Sequence, residues 1–116
     1  MKFVALVAII PSEDEERAVT VAKEHGAGAV TILNGKNIGL KEKKIFFGLT
    51  LEENVSLLIF VLPIRLSMRV MKSLRKEFDL DSHENNSIAF TVPLSHVAGL
   101  NNDELHKFEN DIKNIL

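Results

Sequence analysis

Two apolar runs constrain the fold of this chain more than any other feature: residues 3–10 (FVALVAII) and 55–62 (VSLLIFVL). Each is eight residues long, and each is stopped by a proline, Pro11 and Pro63. A helix crossing a bilayer needs about 20 apolar residues, so neither run can span one, and both read as buried strands. Each strand leads into a segment with helical periodicity. After Pro11, Ser12 stands three residues before Glu15 in the arrangement of a capping box, and Glu13, Asp14 and Glu16 suit the positive end of a helix dipole. Ala18, Val19 and Ala22 supply a small apolar face, and Gly26 is a natural C-terminal stop. After Pro63, the spacing of Leu66, Val70, Met71, Leu74 and Phe78 predicts a helix over 65–78. The opposite side of that helix carries Arg65, Arg69, Lys72 and Lys76 in line.

The remaining segments complete the plan. Residues 28–34 are expected to form the second strand, 45–50 a short strand-like stretch, 52–54 a turn, 79–87 a polar loop, and 88–92 a last strand ended by Pro93. The order β-α-β-β-α-β predicts an α+β, ferredoxin-like sandwich: an antiparallel sheet with two helices on one face. A further C-terminal helix is expected over 102–116, capped by Asn102, with Leu105, Phe108, Ile112 and Ile115 on one face. At 116 residues the whole chain, 1–116, is expected to be a single domain. A core this small leaves much surface wet, so self-association would stabilise it.

Charge and residue inventory remove several function classes. The net charge of −2 argues against a nucleic-acid partner, which a basic field normally attracts. The absence of cysteine removes disulfides, zinc–thiolate sites and thiol chemistry, and is compatible with the cytoplasm, the expected location. The first apolar run follows a single lysine and leads into an acidic stretch without a small-residue cleavage site, which does not suit a signal peptide. Neither signal peptide nor membrane insertion is therefore expected. Ser95 and His96 are adjacent, and neighbours on a strand point to opposite faces, so they cannot act together as a catalytic pair there. No G-x-S-x-G elbow occurs, and the carboxylates lie in helix caps and turns. The chain is expected not to be an enzyme. An acylphosphatase of the same strand order would need an arginine in the loop after strand one, where this chain has Ser12, Glu13, Asp14 and Glu15. The loop at 35–44 has two glycines and several lysines, a composition that can cradle phosphate, although its spacing matches no P-loop.

Three segments carry a resemblance to a known family. They are TILNGKNIG at 31–39, KKIFFGL at 43–49 and SIAFTVPLSHVAGL at 87–100. In combination they resemble the nitrogen-regulatory PII proteins, in their divergent PII-like branch. The resemblance implies a homotrimeric signal-transduction protein that binds an adenine nucleotide such as ATP or ADP in clefts between subunits. It further implies a long loop, here 36–53, that changes shape to grip a protein target such as a transporter, channel or metabolic enzyme. On this alignment Thr31, Gly35, Lys36 and Gly39 fall at the nucleotide cleft, together with Ser87 and Ile88 at the start of the last strand. Lys41, Lys43 and Lys44 are then the partner-contacting cations of the loop.

The departures from the family pattern are specific. The glycine-rich phosphate loop is replaced by Asp81-Ser82-His83-Glu84-Asn85-Asn86-Ser87, which has neither glycine nor lysine. The family's lysine at the start of the last strand falls on Ser87 or Ile88, and its two following arginines fall near Gly99 and Asn101. Each missing cation removes charge-assisted bonds worth about 1.5 to 3 kcal/mol, which argues against high-affinity ATP binding. With no tyrosine in the chain, regulation by tyrosine nucleotidylation is excluded. A trimeric divalent-metal-tolerance protein of the same fold is the alternative, with His83, Glu84 and His96 as ligands.

Overall fold

The computed structural model describes residues 2–38, 45–46, 49–50 and 53–100. Its elements are β1 (Phe3–Pro11), a 3-10 turn at Ser12–Asp14, α1 (Glu15–Glu24), β2 (Thr31–Asn37), β3 (Ile45–Phe46), β4 (Leu49–Thr50), β5 (Glu53–Pro63), α2 (Ile64–Glu77) and β6 (Ile88–Pro93). The four long strands form an antiparallel sheet in the order β2-β5-β1-β6. This is the ferredoxin-like α+β plan expected from the order of strands and helices. The stretch at 45–50 is two short strands paired with each other, Ile45 opposite Thr50 and Phe46 opposite Leu49, outside the main sheet. The expected C-terminal helix at 102–116 lies outside the described residues.

The core follows from the two-residue period of the central strands. Leu6, Ala8 and Ile10 of β1 and Leu58, Phe60 and Leu62 of β5 are buried, and they meet Ala18, Val21 and Ala22 of α1 and Leu66, Val70 and Leu74 of α2. Cross-strand partners share a face, as in Leu6 opposite Phe60 and Ala8 opposite Leu58, so the even-numbered residues of both strands lie beneath the helices. Each buried Leu, Ile, Val or Phe side chain among them contributes roughly 1.5 to 3 kcal/mol by leaving water.

Both helices end as their sequences direct, by one shared device. Gly26 takes φ +109° after α1, with Ala27 N–H donating to Ala22 O and Gly26 N–H to Lys23 O. After α2 the left-handed position is taken by Asp79 at φ +48°, with Leu80 N–H donating to Arg75 O. An aspartate tolerates this region at a cost that glycine avoids.

Two boundaries differ from the sequence expectation. The capping box at Ser12 and Glu15 does not form, because Ser12 opens a 3-10 turn and the N-cap position of α1 falls on Asp14, with no side-chain cap. Its carboxylate instead accepts a 2.7 Å hydrogen bond from Ser56 Oγ, a fully buried hydroxyl on β5. A buried hydroxyl requires a partner, and satisfying it draws Glu15 inward. The second strand runs three residues further along than expected, at Thr31–Asn37 rather than 28–34. Its register is set by β5, which begins at Glu53, within the expected turn, and pairs it with Asn37. That extra pairing takes Gly35, Lys36 and Asn37 out of the expected loop and into the ladder.

Candidate functional site

The sheet's second face determines what the molecule can do. An antiparallel sheet with helices on one side ordinarily turns polar residues outward on the other. Here three rows of outward positions, odd-numbered on β1, β2 and β5 and even-numbered on β6, are apolar apart from Thr31. The register lines up Leu33, Leu57, Ile9 and Ile88 in one row, Thr31, Ile59, Val7 and Phe90 in the next, and Val61, Ala5 and Val92 in a third. Val61, Phe90, Val92, Leu33 and Ile88 are each 40 to 56% exposed within the chain. Buried strands at both apolar runs imply cover on two sides, and the described residues of the chain provide it on one only.

The residues predicted to hold a ligand divide between the two edge strands of this sheet. Thr31, Gly35 and Lys36 lie on β2, opposite Ile59, Val55 and Asn54. Ser87 and Ile88 lie at the start of β6. Three inter-strand steps separate β2 from β6, roughly 14 Å at the usual strand spacing, so one chain does not bring the two sets together. Gly35 sits within the strand, and a Cβ there would meet Val55 Cγ2 at 3.7 Å and Leu57 Cδ1 at 3.8 Å, ordinary contacts that do not demand glycine. Gly39, Lys41, Lys43 and Lys44 lie outside the described residues.

At the β6 edge the chain forms a concavity of about 620 Å³ between α2, the 79–87 loop and the strand. Met71, Leu80 and Ala89 supply its apolar groups, Arg75, Asp81, Asn85 and Thr91 its polar ones, and it reaches the edge of β6 at Ser87, Ile88 and Phe90. Among the described residues Arg75 is its one cation, and it is engaged: Nη2 donates to both Asp81 oxygens at 3.1 and 3.0 Å. Asn85 braces the loop from within. Its Nδ2 donates to Ser87 O at 2.6 Å and Leu80 O at 3.3 Å, and its Oδ1 accepts from Ser87 N–H at 2.8 Å. A phosphate-binding loop leaves its backbone N–H groups free for the ligand, whereas this one consumes Ser87 N–H internally, and Glu84 N–H also donates to Ser82 Oγ. Asn85→Ala removes three bonds at a half-buried site and is expected to cost about 1 to 3 kcal/mol, measured by urea unfolding. Sequence reading had singled out neither Arg75 nor Asn85. An asparagine three residues before the start of a strand is the local signal that could have found the latter.

Among the described residues no group of three or more His, Asp or Glu side chains is placed to hold a metal ion. His83, Glu84 and His96 are each exposed, the first two in the loop and the third beyond β6. His25 has a local role, its Nδ1 hydrogen-bonding to Val21 O at 2.8 Å within the α1 terminus. No helix among the described residues is long and apolar enough to cross a membrane.

No protein-family model matches the chain, and no match is found among curated proteins. Solved structures do match. CPII from Thiomonas intermedia K12, a nitrogen regulatory PII-like protein bound to ADP, AMP and bicarbonate, superposes with a TM-score of 0.64 at 13% identity, over 86% of this chain and 98% of that one. The GlnK–ATP complex of B. subtilis gives 0.64 at 14% identity, over 81% and 83%. The periplasmic divalent cation tolerance protein CutA from Archaeoglobus fulgidus gives 0.62 at 14% identity, over 95% and 98%. The likeness is one of fold: the chain has the fold of PII-like proteins and of CutA. The resemblance read from residues 31–39, 43–49 and 87–100 points to the same group of structures.

Proposed function

We propose that this protein is a PII-like regulator rather than an enzyme. It works as a homotrimer in the cytoplasm, senses a small adenine-class metabolite in clefts between subunits, and acts on a target protein through the 36–53 loop. The observation that carries this reading is the apolar outer face of the sheet, flanked by candidate ligand residues on opposite edges. A neighbouring copy would cover that face and bring the β2 edge of one subunit towards the β6 edge of the next. The likeness to CPII and GlnK supports the same arrangement, since both were solved with adenine nucleotides bound.

The charge of the concavity narrows the ligand. Its cation is neutralised by Asp81, and Asp79 and Glu84 stand in the adjoining loop. A triphosphate would meet an acidic rim without compensating bonds, whereas an apolar wall with a few amide and hydroxyl groups suits a nucleoside or monophosphate. Dye-based thermal shift with adenosine, AMP, ADP and ATP tests this, a dye being needed because the chain has no Trp or Tyr. AMP or adenosine is expected to stabilise more than ATP, by about 2.7 kcal/mol at a hundredfold excess over its Kd. A saturable shift with copper or zinc and none with any adenine compound would favour the metal-tolerance alternative. Replacing the loop by a short Gly-Ser turn should abolish target binding while leaving the melting temperature near that of the intact protein. Capture that survives the replacement would move the target surface elsewhere.

A further inference from the structure

The solvent side of α2 carries charge that the fold itself does not use. Arg65, Arg69, Lys72 and Lys76 follow at spacings of four, three and four, which aligns them along one side of the helix over roughly 16 Å. All four are exposed, and among the described residues none forms an ion pair. The ion pair that joins the two helices has the opposite sense, Arg17 of α1 to Glu77 of α2 at 3.6 Å, with the same guanidinium 4.4 Å from the Phe78 ring. The exposed acids of α1 therefore do not neutralise the stripe. Like charges at these spacings oppose helix formation, and Arg65 lies in a first turn that contains no acid, where a cation faces the positive end of the dipole. Local stability thus opposes the stripe along most of its length. An unfavourable local pattern without compensation among the described residues points to use by something outside them.

We propose that this side of α2 is a docking surface for an acidic helical segment of a partner protein, separate from the 36–53 loop. Carboxylates at matching helical spacing on a neighbouring helix would meet all four cations in turn. Met68, 66% exposed, and Ile64, 39% exposed, flank the stripe and give such a helix an apolar contact. A bilayer is the poorer fit, because Leu66, Val70 and Leu74 are committed to the core and α2 leaves only Ile64 and Met68 as exposed large apolar residues, too few for a lipid-facing surface. A nucleic acid is disfavoured by the chain's net charge of −2.

The test uses the full chain and two fluorescein-labelled stapled helices of one composition, the first with glutamates at i, i+4, i+7 and i+11, the second scrambled. Fluorescence anisotropy should show the matched helix binding about tenfold more tightly, with R69E/K72E weakening it by about tenfold or more. Binding should fall as salt is raised towards about 0.5 M. The melting temperature of R69E/K72E should equal or exceed that of the parent, which separates lost binding from lost folding, and protein lacking the loop should still bind. Equal affinity for matched and scrambled helices, or insensitivity to R69E/K72E, overturns the proposal. So does tighter binding to phosphatidylglycerol vesicles or duplex DNA that the same substitutions abolish.

Discussion

Truncating Phe60 to alanine is expected to destabilise the protein by about 3 to 5 kcal/mol, measured by urea unfolding followed by circular dichroism. Phe60 lies in the middle of the core: it is 1% exposed, sits on the helix side of β5, and faces Leu6 across the β1–β5 ladder. The sheet and both helices close around it, so the space left by the ring cannot be filled without moving elements that also pack on Leu58, Leu62, Val70 and Leu74. Domains of this size have a total stability of about 5 to 15 kcal/mol, so the variant should lose a large fraction of it. A loss below about 1 kcal/mol would contradict this packing of the helices on the sheet.

Ile59→Asp is expected to have a different and equally large effect. Ile59 neighbours Phe60 in sequence but points to the other face, between Val7 of β1 and Thr31 of β2. Within one protomer it is half-buried, and an aspartate there stays within reach of water, so the isolated chain should fold. In the proposed trimer the same face is covered, and each copy would bury an unpaired carboxylate at a cost of several kcal/mol. Light scattering on size-exclusion chromatography should therefore read a trimer for the parent and a monomer for Ile59→Asp. A monomeric parent would sink the trimer. A variant that remains trimeric would show that the subunits meet elsewhere.

The two substitutions stand on adjacent residues of one strand and test two different interfaces, and the sequence already contained that distinction. Alternate positions of residues 55–62 are apolar on both faces, apart from Ser56, so the run signals a strand covered on two sides. The helices that cover one side are encoded nearby, by the stripes at Ala18 and Ala22 and at Leu66, Val70 and Leu74. What covers the other side is not encoded in any local pattern.

Order and type of elements, the stops at Gly26 and Pro63, the amphipathic α2 and its basic stripe were determined by the sequence alone. Each depends on residues within a few positions of one another, where backbone sterics and helical or strand period decide the outcome. The tertiary structure decided the rest. It set the register of β2, because Lys36 and Asn37 pair with Asn54 and Glu53 on a strand far along the chain, and only that pairing extends the ladder. It turned Glu15 from a helix cap into the partner of buried Ser56, because an unsatisfied hydroxyl in the core costs more than an unmade cap at the surface. It also separated Thr31, Gly35 and Lys36 from Ser87 and Ile88 by the width of the sheet. Strand order follows from which apolar faces can be buried together, a property of the whole chain that no local window contains.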